Sequence, residues 1–457
     1  MRADNDRTGT GVPESKTIYV VSLGCPKNLV DTEIMLGHLT KAGWEVVGEP
    51  RGAAVLLVNT CAFIAPASQE AVETILEMAA HKEKAPGQRL VVTGCLVQRY
   101  AGELEGLLPE VDLWIGVNDF CRLSEILGGD EVEGGRRLFC SRSPYDYAER
   151  QPRYGVTPWY LGYLKIAEGC SHGCTFCTIP RLRGPYRSRP LATLRAEAQR
   201  LAAGGVKEVI LVAQDTTAYG QEWGGHPGLP ELLAELAGIS GLLWLRVLYT
   251  YPNRISEHLL ETMAAIPKVL PYIDFPIQHG HDEILRRMGR GYRRWEILEV
   301  CRQIRRYLPQ ATLRSTVMVG FPGETEEHFQ SLLALVEEVR FDHLGVFLYS
   351  KEEGTAAAGF SGAVPRRQAR SRARRLKALQ AMIVKEKLKS LVGTVQPVLV
   401  EGVSEESEYL LKGRLRSQAP EIDGQVLIRA GEGRVGEVQP VRIVRAIPPD
   451  VLGEIVS

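Results

Sequence analysis

The feature that most constrains the fold is an alternation of short apolar segments and helical segments, which begins at Thr17. In the N-terminal part, apolar segments with strand character are separated by segments with helical spacing of apolar residues. The strands are predicted at 18–22, 53–58 and 89–93, and the helices at 29–42, 66–84 and 98–107. This alternation predicts an α/β domain with a doubly wound parallel sheet.

A second series of apolar segments separated by helical segments follows a stretch rich in glycine, proline and charge. Its strands are predicted at 161–167, 208–213, 244–249, 272–277, 312–319 and 344–349. Six β/α units indicate either a partial barrel or a wound sheet. After about Val392, short alternating strands broken by glycines predict a small antiparallel β-barrel. We therefore predict an N-terminal domain (17–130), a linker (131–158), a β/α domain with a basic connecting helix (159–389) and a barrel domain (390–457).

Charge and hydropathy exclude some classes of protein. Lys+Arg and Asp+Glu number 55 each, so the chain as a whole is not biased toward nucleic acid or acidic membranes. Met1 to Lys16 lacks the apolar core of a signal peptide, and no apolar run approaches the ~18 residues of a membrane span. We expect a cytoplasmic protein, in which nine cysteines indicate metal binding or catalysis before disulfides.

Three of the cysteines form the pattern Cys170-x3-Cys174-x2-Cys177 directly after the first strand of the second series. Three thiolates on one loop can bind three irons of a cubane cluster and leave the fourth iron open to another ligand. The alternative is zinc, with His172 as a fourth ligand. Phe176 is placed either to pack against an adenine or the cluster, or to serve as a core aromatic.

Three more cysteines, Cys25, Cys61 and Cys95, each lie just beyond the C-terminal end of a predicted strand of the first domain. Ligands of open parallel sheets bind at that edge, so we expect these thiols to converge on one point. The alternative is that they are buried core residues. The remaining cysteines, Cys121, Cys140 and Cys301, lie outside any motif, and we expect them to be incidental.

The cysteine spacing of the second set and several flanking motifs resemble those of radical S-adenosylmethionine methylthiotransferases. The similar motifs are Ser22-Leu-Gly-Cys-Pro-Lys-Asn28, Asn59-Thr-Cys61, Thr93-Gly-Cys-Leu96, Glu168-Gly-Cys170 and Gly320-Phe-Pro-Gly-Glu-Thr325. The C-terminal barrel resembles a TRAM domain, and the likeness runs from about Thr17 to the end of the chain. It implies that the β/α domain is a partial (β/α)6 radical SAM barrel.

The resemblance also implies two [4Fe-4S] clusters, one auxiliary (Cys25, Cys61, Cys95) and one radical (Cys170, Cys174, Cys177). S-adenosylmethionine would chelate the open iron of the radical cluster and be cleaved by one electron to a 5′-deoxyadenosyl radical. A second S-adenosylmethionine would supply the methyl of the methylthio group. In such enzymes the cofactors carry the hard chemistry, and the protein supplies placement and tuning.

Other candidate contacts to cofactor or substrate follow the predicted strands of the second series. Gln214 and Asp215 end the second strand, Arg246 lies in the third, and Gln278 with His279 ends the fourth, so we expect all of them at one mouth of the array. Gly320, Gly323 and Glu324 follow the fifth strand, where a glycine-rich turn could admit an adenosyl group or simply begin a helix. Capping and core packing are the alternatives for the first group.

The family includes enzymes that modify adenosines of tRNA and enzymes that modify an aspartate of ribosomal protein S12. The motifs Gly24-Cys-Pro-Lys-Asn28, Pro276-Ile-Gln-His279 and Ala419-Pro-Glu-Ile-Asp-Gly424 resemble the second group. Residues 391–457 carry seven Lys/Arg against ten Asp/Glu, which suits a basic protein better than RNA phosphates. We therefore expect β-methylthiolation of an S12 aspartate, free or on the ribosomal subunit, by a monomer that uses an external electron donor. A tRNA enzyme and an iron–sulfur electron carrier or scaffold remain the alternatives.

The segment from Pro365 to Lys389 is an exception to the balanced charge, because it holds ten Lys/Arg and the single acid Glu386. Most such runs are solvated helix faces. The alternative is contact with ribosomal RNA.

Overall fold

In a computed structural model of the protein, the described residues are 16–129, 135, 137–143, 145 and 151–456. The chain divides into two compact units. The first comprises residues 1–156, 169–171 and 177–186, and the second residues 157–168, 172–176 and 187–457. Much of the predicted linker (131–158) lies outside the described residues.

The first unit contains one parallel sheet with helices between its strands. In chain order its elements are β1 (Thr17–Ser22), α1 (Pro26–Lys41), β2 (Glu45–Val46), β3 (Val55–Thr60), α2 (Ala65–Lys84), β4 (Arg89–Gly94), α3 (Cys95–Leu107), β5 (Leu113–Ile115), α4 (Leu123–Leu127), β6 (Leu138–Phe139) and α5 (Ile179–Arg183). The strand order is β2-β1-β3-β4-β5-β6, with every pair parallel. The predicted doubly wound α/β domain is thus confirmed, with β2, β5 and β6 as strands that the sequence pattern did not reveal.

The strands β3 and β4 form the centre of this unit. All six residues of β3 and five of the six in β4 are buried, because both faces of a parallel sheet are covered by helices. Helices α2 and α3 pack apolar residues such as Ile75, Met78 and Val97 against this sheet. A sheet covered in this way leaves the carboxyl ends of its strands as the natural position for a site.

The second unit begins with a β/α array. Its elements are β7 (Leu161–Lys165), β8 (Ala167–Glu168), β9 (Arg187–Ser188), α6 (Leu191–Ala203), β10 (Glu208–Val212), α7 (Leu229–Ala237), β11 (Trp244–Val247), α8 (Glu257–Ala265), β12 (Val269–Asp274), α9 (Asp282–Arg287), α10 (Arg294–Tyr307), β13 (Thr312–Val319), α11 (Glu326–Val339), β14 (His343–Leu348) and α12 (Arg366–Leu391). Six parallel strands form the sheet β14-β13-β12-β11-β10-β7, and β8 pairs with β9. The predicted six-unit partial barrel is confirmed.

The C-terminal part of the second unit is a closed barrel of five strands. They are β15 (Val395–Val403), β16 (Leu411–Leu415), β17 (Val426–Ile428), β18 (Val438–Ile447) and β19 (Asp450–Ile455). All pairs are antiparallel except β17 with β19. Alternate residues of these strands, among them Val398, Val400, Val441 and Ile443, fill the interior of the barrel.

The helix α12 carries the basic segment. Its buried positions, such as Ala373 and Leu376, share one face, and most of its arginines lie on the other. In the described part of the chain, no helix has both the length and the apolar character needed to cross a bilayer.

Candidate functional site

The cysteines of the first unit follow three neighbouring strands. Cys25 caps α1 after β1, Cys61 directly follows β3, and Cys95 begins α3 directly after β4. The order β1-β3-β4 makes these strands adjacent, so their carboxyl ends meet at one edge of the sheet. The three thiols lie close enough to influence one another electrostatically. Cys95 and Cys25 each raise the pKa of Cys61, and Cys25 raises the pKa of Cys95.

Two glycines allow the loops that carry these cysteines to approach each other. Gly24 has a φ of 92°, and a Cβ at this position would lie 2.6 Å from Cys61 Cβ and 3.0 Å from Cys61 Sγ. Gly94 has a φ of 100°, and its Cβ would lie 2.5 Å from Thr60 O. Only glycine fits both the backbone angle and the space.

Burial is the largest cause of the shifted pKa values of Cys61 and Cys95. It raises the pKa of Cys61 to about 12, with a further contribution from Cys95. Burial also raises the pKa of Cys95, although Arg183 opposes that shift. Thiols of this kind must lose their protons to bind iron, so metal loading of this set releases protons.

A network of polar side chains holds the loops around Cys95. Arg183 of α5 donates hydrogen bonds to Asp31 (2.7 Å), to Asn28 (3.2 Å) and to Cys95 Sγ (3.3 Å). Asn28 in turn donates to Leu23 O at 2.7 Å. Arg183, Asp31 and Asn28 are almost fully buried, and the charges of Arg183 and Asp31 pair with each other.

The second cysteine set lies on the loop between β8 and α5. The N–H of Cys170 donates to Gly184 O (3.1 Å), and Cys177 Sγ accepts a hydrogen bond from the N–H of Ile179 (3.4 Å). Cys174 Sγ accepts a hydrogen bond from Arg290 Nη1 at 3.3 Å. The sulfurs of Cys174 and Cys177 therefore each have a hydrogen-bond donor directed at them.

His172, between the first two cysteines of this loop, takes part in a second network. Its Nε2 lies 2.7 Å from Asp215 Oδ2, and its ring stacks on Tyr251 with 4.0 Å between the ring centroids. Arg254 and Thr217 also donate to Asp215. These bonds hold the pKa of Asp215 below its ordinary value, even though burial acts in the opposite direction. His172 is therefore an anchor of the loop rather than a free fourth zinc ligand.

The donor sets can be tested against the metals that they would hold. Among the described residues, no three His, Cys, Asp or Glu side chains are arranged to bind a single metal ion. A mononuclear zinc site needs such an arrangement, whereas a cubane cluster gives each cysteine its own iron. Two sets of three cysteines with no acidic or imidazole donor among them fit iron–sulfur clusters.

Other predicted residues lie at the carboxyl ends of the second sheet. Gln214 and Asp215 follow β10, and the Oε1 of Gln214 is buried without a hydrogen-bond partner in the described part of the chain. Gln278 follows β12 with a φ of 66°, and its backbone extends the pairing with β13. His279 is fully buried beside it, and burial lowers the pKa of its imidazole to about 3, so the ring is neutral.

The glycine-rich turn after β13 begins a helix. Thr325 caps α11, and the carboxylate of Glu324 accepts from the N–H of Gly320 (2.8 Å) and from Arg372 (2.6 Å). A Cβ on Gly320 would lie 2.6 Å from Ala369 Cβ, and one on Gly323 would lie 2.7 Å from the Arg287 guanidinium carbon. The helix-starting turn is therefore present, and contact of these residues with an adenosyl group stays a prediction.

Phe176 is partly buried and packs against a small apolar cluster that includes Met288 and Phe321. The core-aromatic interpretation of Phe176 accounts for this packing. Contact with an adenine also stays a prediction.

Arg246 does not lie where the sequence analysis placed it. Its side chain is fully buried, pairs with Glu208 at 2.7 Å and donates to Arg416 O of the C-terminal barrel. Glu208 is the first residue of β10, so this group lies toward the amino ends of the strands, opposite the mouth. The prediction that Arg246 binds cofactor is wrong. Sites of such folds lie at the carboxyl ends of the strands, whereas the contacts of the Arg246 side chain lie at the amino ends.

The sequence analysis missed the arginines that contact the cysteines. Arg183 and Arg290 lie outside the motifs that carried the resemblance. One signal in the sequence was Gly289-Arg-Gly291, because a glycine can mark a close approach of the backbone to another segment. In the structure, a Cβ on Gly289 would collide with the backbone of Gly173 in the cysteine loop. A glycine required by such a close approach marks its neighbour as a residue held against the loop.

Family models match three separate parts of the chain. Residues 17–116 match a family described as uncharacterized protein family UPF0004, residues 164–336 match the radical SAM superfamily, and residues 392–456 match the TRAM domain.

Solved structures show the same fold. The radical S-adenosylmethionine methyltransferase TsrM from Kitasatospora setae, solved with cobalamin and a [4Fe-4S] cluster bound, is 15% identical, with a TM-score of 0.58 over 84% of this chain and 81% of TsrM. The cobalamin-dependent radical enzyme OxsB gives a TM-score of 0.54 at 12% identity over 76% of this chain and 55% of OxsB.

Curated relatives are similar over almost the whole chain. The ribosomal protein uS12 methylthiotransferase RimO of Geobacter sulfurreducens is 47% identical over 96% of this chain and 98% of its own. That of Geotalea uraniireducens is 47% identical over the same shares. That of Sorangium cellulosum is 43% identical over 97% of this chain and 91% of its own. The chain therefore belongs to the family of ribosomal protein uS12 methylthiotransferases, enzymes of the radical SAM superfamily.

Proposed function

We propose that the protein adds a methylthio group to the β-carbon of an aspartate of ribosomal protein S12. The observation that carries this proposal is similarity to uS12 methylthiotransferases along 96% of the chain, in a protein that keeps two separate sets of three cysteines. Three cysteines leave one iron of a cubane without a protein ligand, as a cluster with a reactive role requires. A closed site with four cysteines would suit electron transfer alone.

Each cysteine set would hold one [4Fe-4S] cluster, the auxiliary cluster on Cys25, Cys61 and Cys95 and the radical cluster on Cys170, Cys174 and Cys177. When bound, the radical cluster would supply the electron that cleaves S-adenosylmethionine, and the auxiliary cluster would be the site from which the methylthio group is delivered. The chain's own residues bind, orient and enclose these groups.

The residues proposed to position S-adenosylmethionine lie at the carboxyl edge of the second sheet. The buried, unpaired Oε1 of Gln214 is the best candidate for a direct contact, because a bound ligand would satisfy it. Asp215 already has three protein partners, so we propose that it positions His172. Further proposed contacts are Phe176, Gln278, Gly320, Gly323 and Glu324.

The helix α12 offers a surface for RNA of the ribosomal subunit. Its exposed cations include Arg366, Arg367, Arg370, Arg374, Lys377 and Lys385, none of which forms an ion pair within the described residues. At about 100° of rotation per residue, these six positions all fall within a sector of about 100°, so they share one face along about 28 Å of helix. We propose that this face contacts ribosomal RNA while the acidic barrel contacts S12.

We also propose that the enzyme acts as a cytoplasmic monomer with an external electron donor, and that its domain limits are 17–130, 159–389 and 390–457.

The test is anaerobic reconstitution followed by assay on S12 and on tRNA. The intact protein should bind about eight irons, and Cys25→Ala/Cys61→Ala/Cys95→Ala should retain about four. Reduced enzyme with S-adenosylmethionine should add one SCH3 group to an S12 aspartate, as measured by mass. Modification of tRNA adenosine with none on S12 would reject the substrate. An absence of 5′-deoxyadenosine would favour an electron carrier or scaffold.

The proposed RNA surface has its own test. Arg367→Glu/Arg370→Glu/Arg374→Glu should lower the rate on assembled small subunits while leaving the rate on free S12 unchanged, because only the subunit presents RNA phosphates. Arg429→Glu, on the outside of the barrel and 52% exposed, serves as the control for a change of surface charge. Equal rates of the triple variant and the wild type on subunits at every salt concentration would reject the contact.

A further inference from the structure

Each cysteine set has one arginine that donates a hydrogen bond to one of its sulfurs. In the first unit, Arg183 Nη2 lies 3.3 Å from Cys95 Sγ. In the second unit, Arg290 Nη1 lies 3.3 Å from Cys174 Sγ. A guanidinium that donates to sulfur interacts more strongly as the sulfur gains negative charge.

The charge of Arg183 is balanced within its surroundings. Its Nη1 donates to Asp31 at 2.7 Å, and both side chains are about 4% exposed. The buried pair is neutral as a unit. Cys95 therefore faces a hydrogen-bond donor whose positive charge is largely offset nearby.

The surroundings of Arg290 differ in this respect. Its other donors go to the hydroxyl of Tyr292 (2.7 Å) and to Pro276 O (2.8 Å), which are neutral acceptors. Its guanidinium lies 4.4 Å from the centroid of the Tyr251 ring. Among the described residues, no carboxylate forms an ion pair with Arg290, so Cys174 faces a partly buried cation that is not offset.

We propose that Arg183 and Arg290 are positioning residues that set the reduction potentials of the two clusters separately. Hydrogen bonds to the sulfurs and local charge are principal determinants of cluster potential. Arg290, with its full charge, stabilises the reduced radical cluster strongly. The neutral pair of Arg183 and Asp31 stabilises the reduced auxiliary cluster less. This inference rests on the proposed function, because it requires both cysteine sets to hold clusters.

The balanced pair in the first unit gives predictions of opposite sign. Arg183→Gln leaves the Asp31 carboxylate near Cys95, which lowers the potential of the auxiliary cluster. Asp31→Asn removes the charge that offsets Arg183, which raises that potential. The double variant removes both charges and should return close to the wild-type value. Loss of structure alone cannot give shifts of opposite sign that cancel.

The experiment is a redox titration of the reconstituted protein, followed by electron paramagnetic resonance. Auxiliary-cluster variants are made in Cys170→Ala/Cys174→Ala/Cys177→Ala, and Arg290→Gln is made in Cys25→Ala/Cys61→Ala/Cys95→Ala, so that one cluster is observed at a time. We expect Arg183→Gln and Arg290→Gln each to shift the reduction equilibrium of the adjacent cluster tenfold toward the oxidised form, which is about 59 mV for one electron. Each arginine variant is also made in the protein that retains only the other cluster, as a cross-control. Arg290→Gln should leave the potential of the auxiliary cluster unchanged, and Arg183→Gln should leave that of the radical cluster unchanged.

The outcomes separate this inference from the proposed function. A wild-type protein that binds only about four irons rejects the two-cluster proposal. A protein that binds about eight irons, with the same potentials in all variants or with shifts of one sign in Arg183→Gln and Asp31→Asn, overturns the role of these arginines. If Arg183→Gln loads no cluster, the sign of the Asp31→Asn shift decides.

Discussion

Arg414 of the C-terminal barrel donates a hydrogen bond to Glu208 at the start of β10, 2.6 Å away, although 206 positions separate the two residues in the chain. Both side chains are almost fully buried, and Glu208 also pairs with Arg246. Nearby, Tyr272 donates to Asp423 of the barrel at 2.6 Å. The barrel is thus fixed to the amino ends of the β/α strands, at the edge opposite the proposed site.

Removal of Arg414 should loosen the barrel. Arg414→Ala leaves the buried Glu208 with one cation in place of two, and breaking such a pair costs about 3 kcal/mol. Local opening of the barrel can be measured by hydrogen exchange of the β16 amides, which does not assume a two-state protein. The control is Arg429→Ala, whose exposed pair with Glu454 should contribute less than about 1 kcal/mol. Equal protection in the two variants would refute the role of Arg414.

The same group predicts a dependence of stability on pH. Burial alone would raise the pKa of Glu208, but Arg246 and Arg414 outweigh it and hold the pKa below the ordinary value of 4.5. A lowered carboxyl pKa stabilises the folded state above pH 4.5, and this contribution is lost as the pH falls through the folded value. The difference in β16 protection between wild type and Glu208→Gln should therefore be largest at about pH 7 and become smaller as the pH falls below 4.5 toward about pH 3. A difference that is constant over this range would contradict the assignment.

Most of the fold could be predicted from the sequence, because the strands and helices follow from local patterns of apolar residues. The strand at 312–319 was predicted with its observed bounds, and the burial of β3 follows from its continuous apolar run. The position of Cys61 followed from the rule that parallel strands bring their carboxyl ends to one edge.

The contacts among distant residues were beyond this approach. Arg183 meets Cys95 across 88 positions and Arg290 meets Cys174 across 116, so no local pattern encodes either contact. Arg246 was misplaced for a related reason. The side chain of a charged residue within a strand can make its contacts at either end of the sheet. Burial of a charge requires a partner, but the sequence does not show which one.

The loop of the second cysteine set should depend on Asp215. Asp215→Asn weakens the bond to His172 and leaves Arg254 without its carboxylate partner. Residues that support metal ligands typically contribute 10–100-fold to affinity or activity, so we expect 5′-deoxyadenosine formation to fall by about this factor. Exchange of the amides of residues 172–176 should rise at the same time. Glu197→Gln, which breaks the buried pair with Arg189, is the control and should leave this loop unchanged. Faster exchange of the loop in both variants would show a general loss of stability instead.

The convergence of the first cysteine set should depend on Gly24. Gly24→Ala forces a Cβ to within 2.6 Å of Cys61 Cβ at a φ of 92°, so the loop that carries Cys25 must move away. We expect the variant to retain about four of about eight irons after reconstitution. The matched control is Gly43→Ala, which has a similar φ of 84° but no heavy atom within 4 Å of the added Cβ. The two variants share the backbone cost of a positive φ and differ in the approach to Cys61, so only Gly24→Ala should lose iron. An equal iron content in both would show that this close approach is not needed to assemble the auxiliary site.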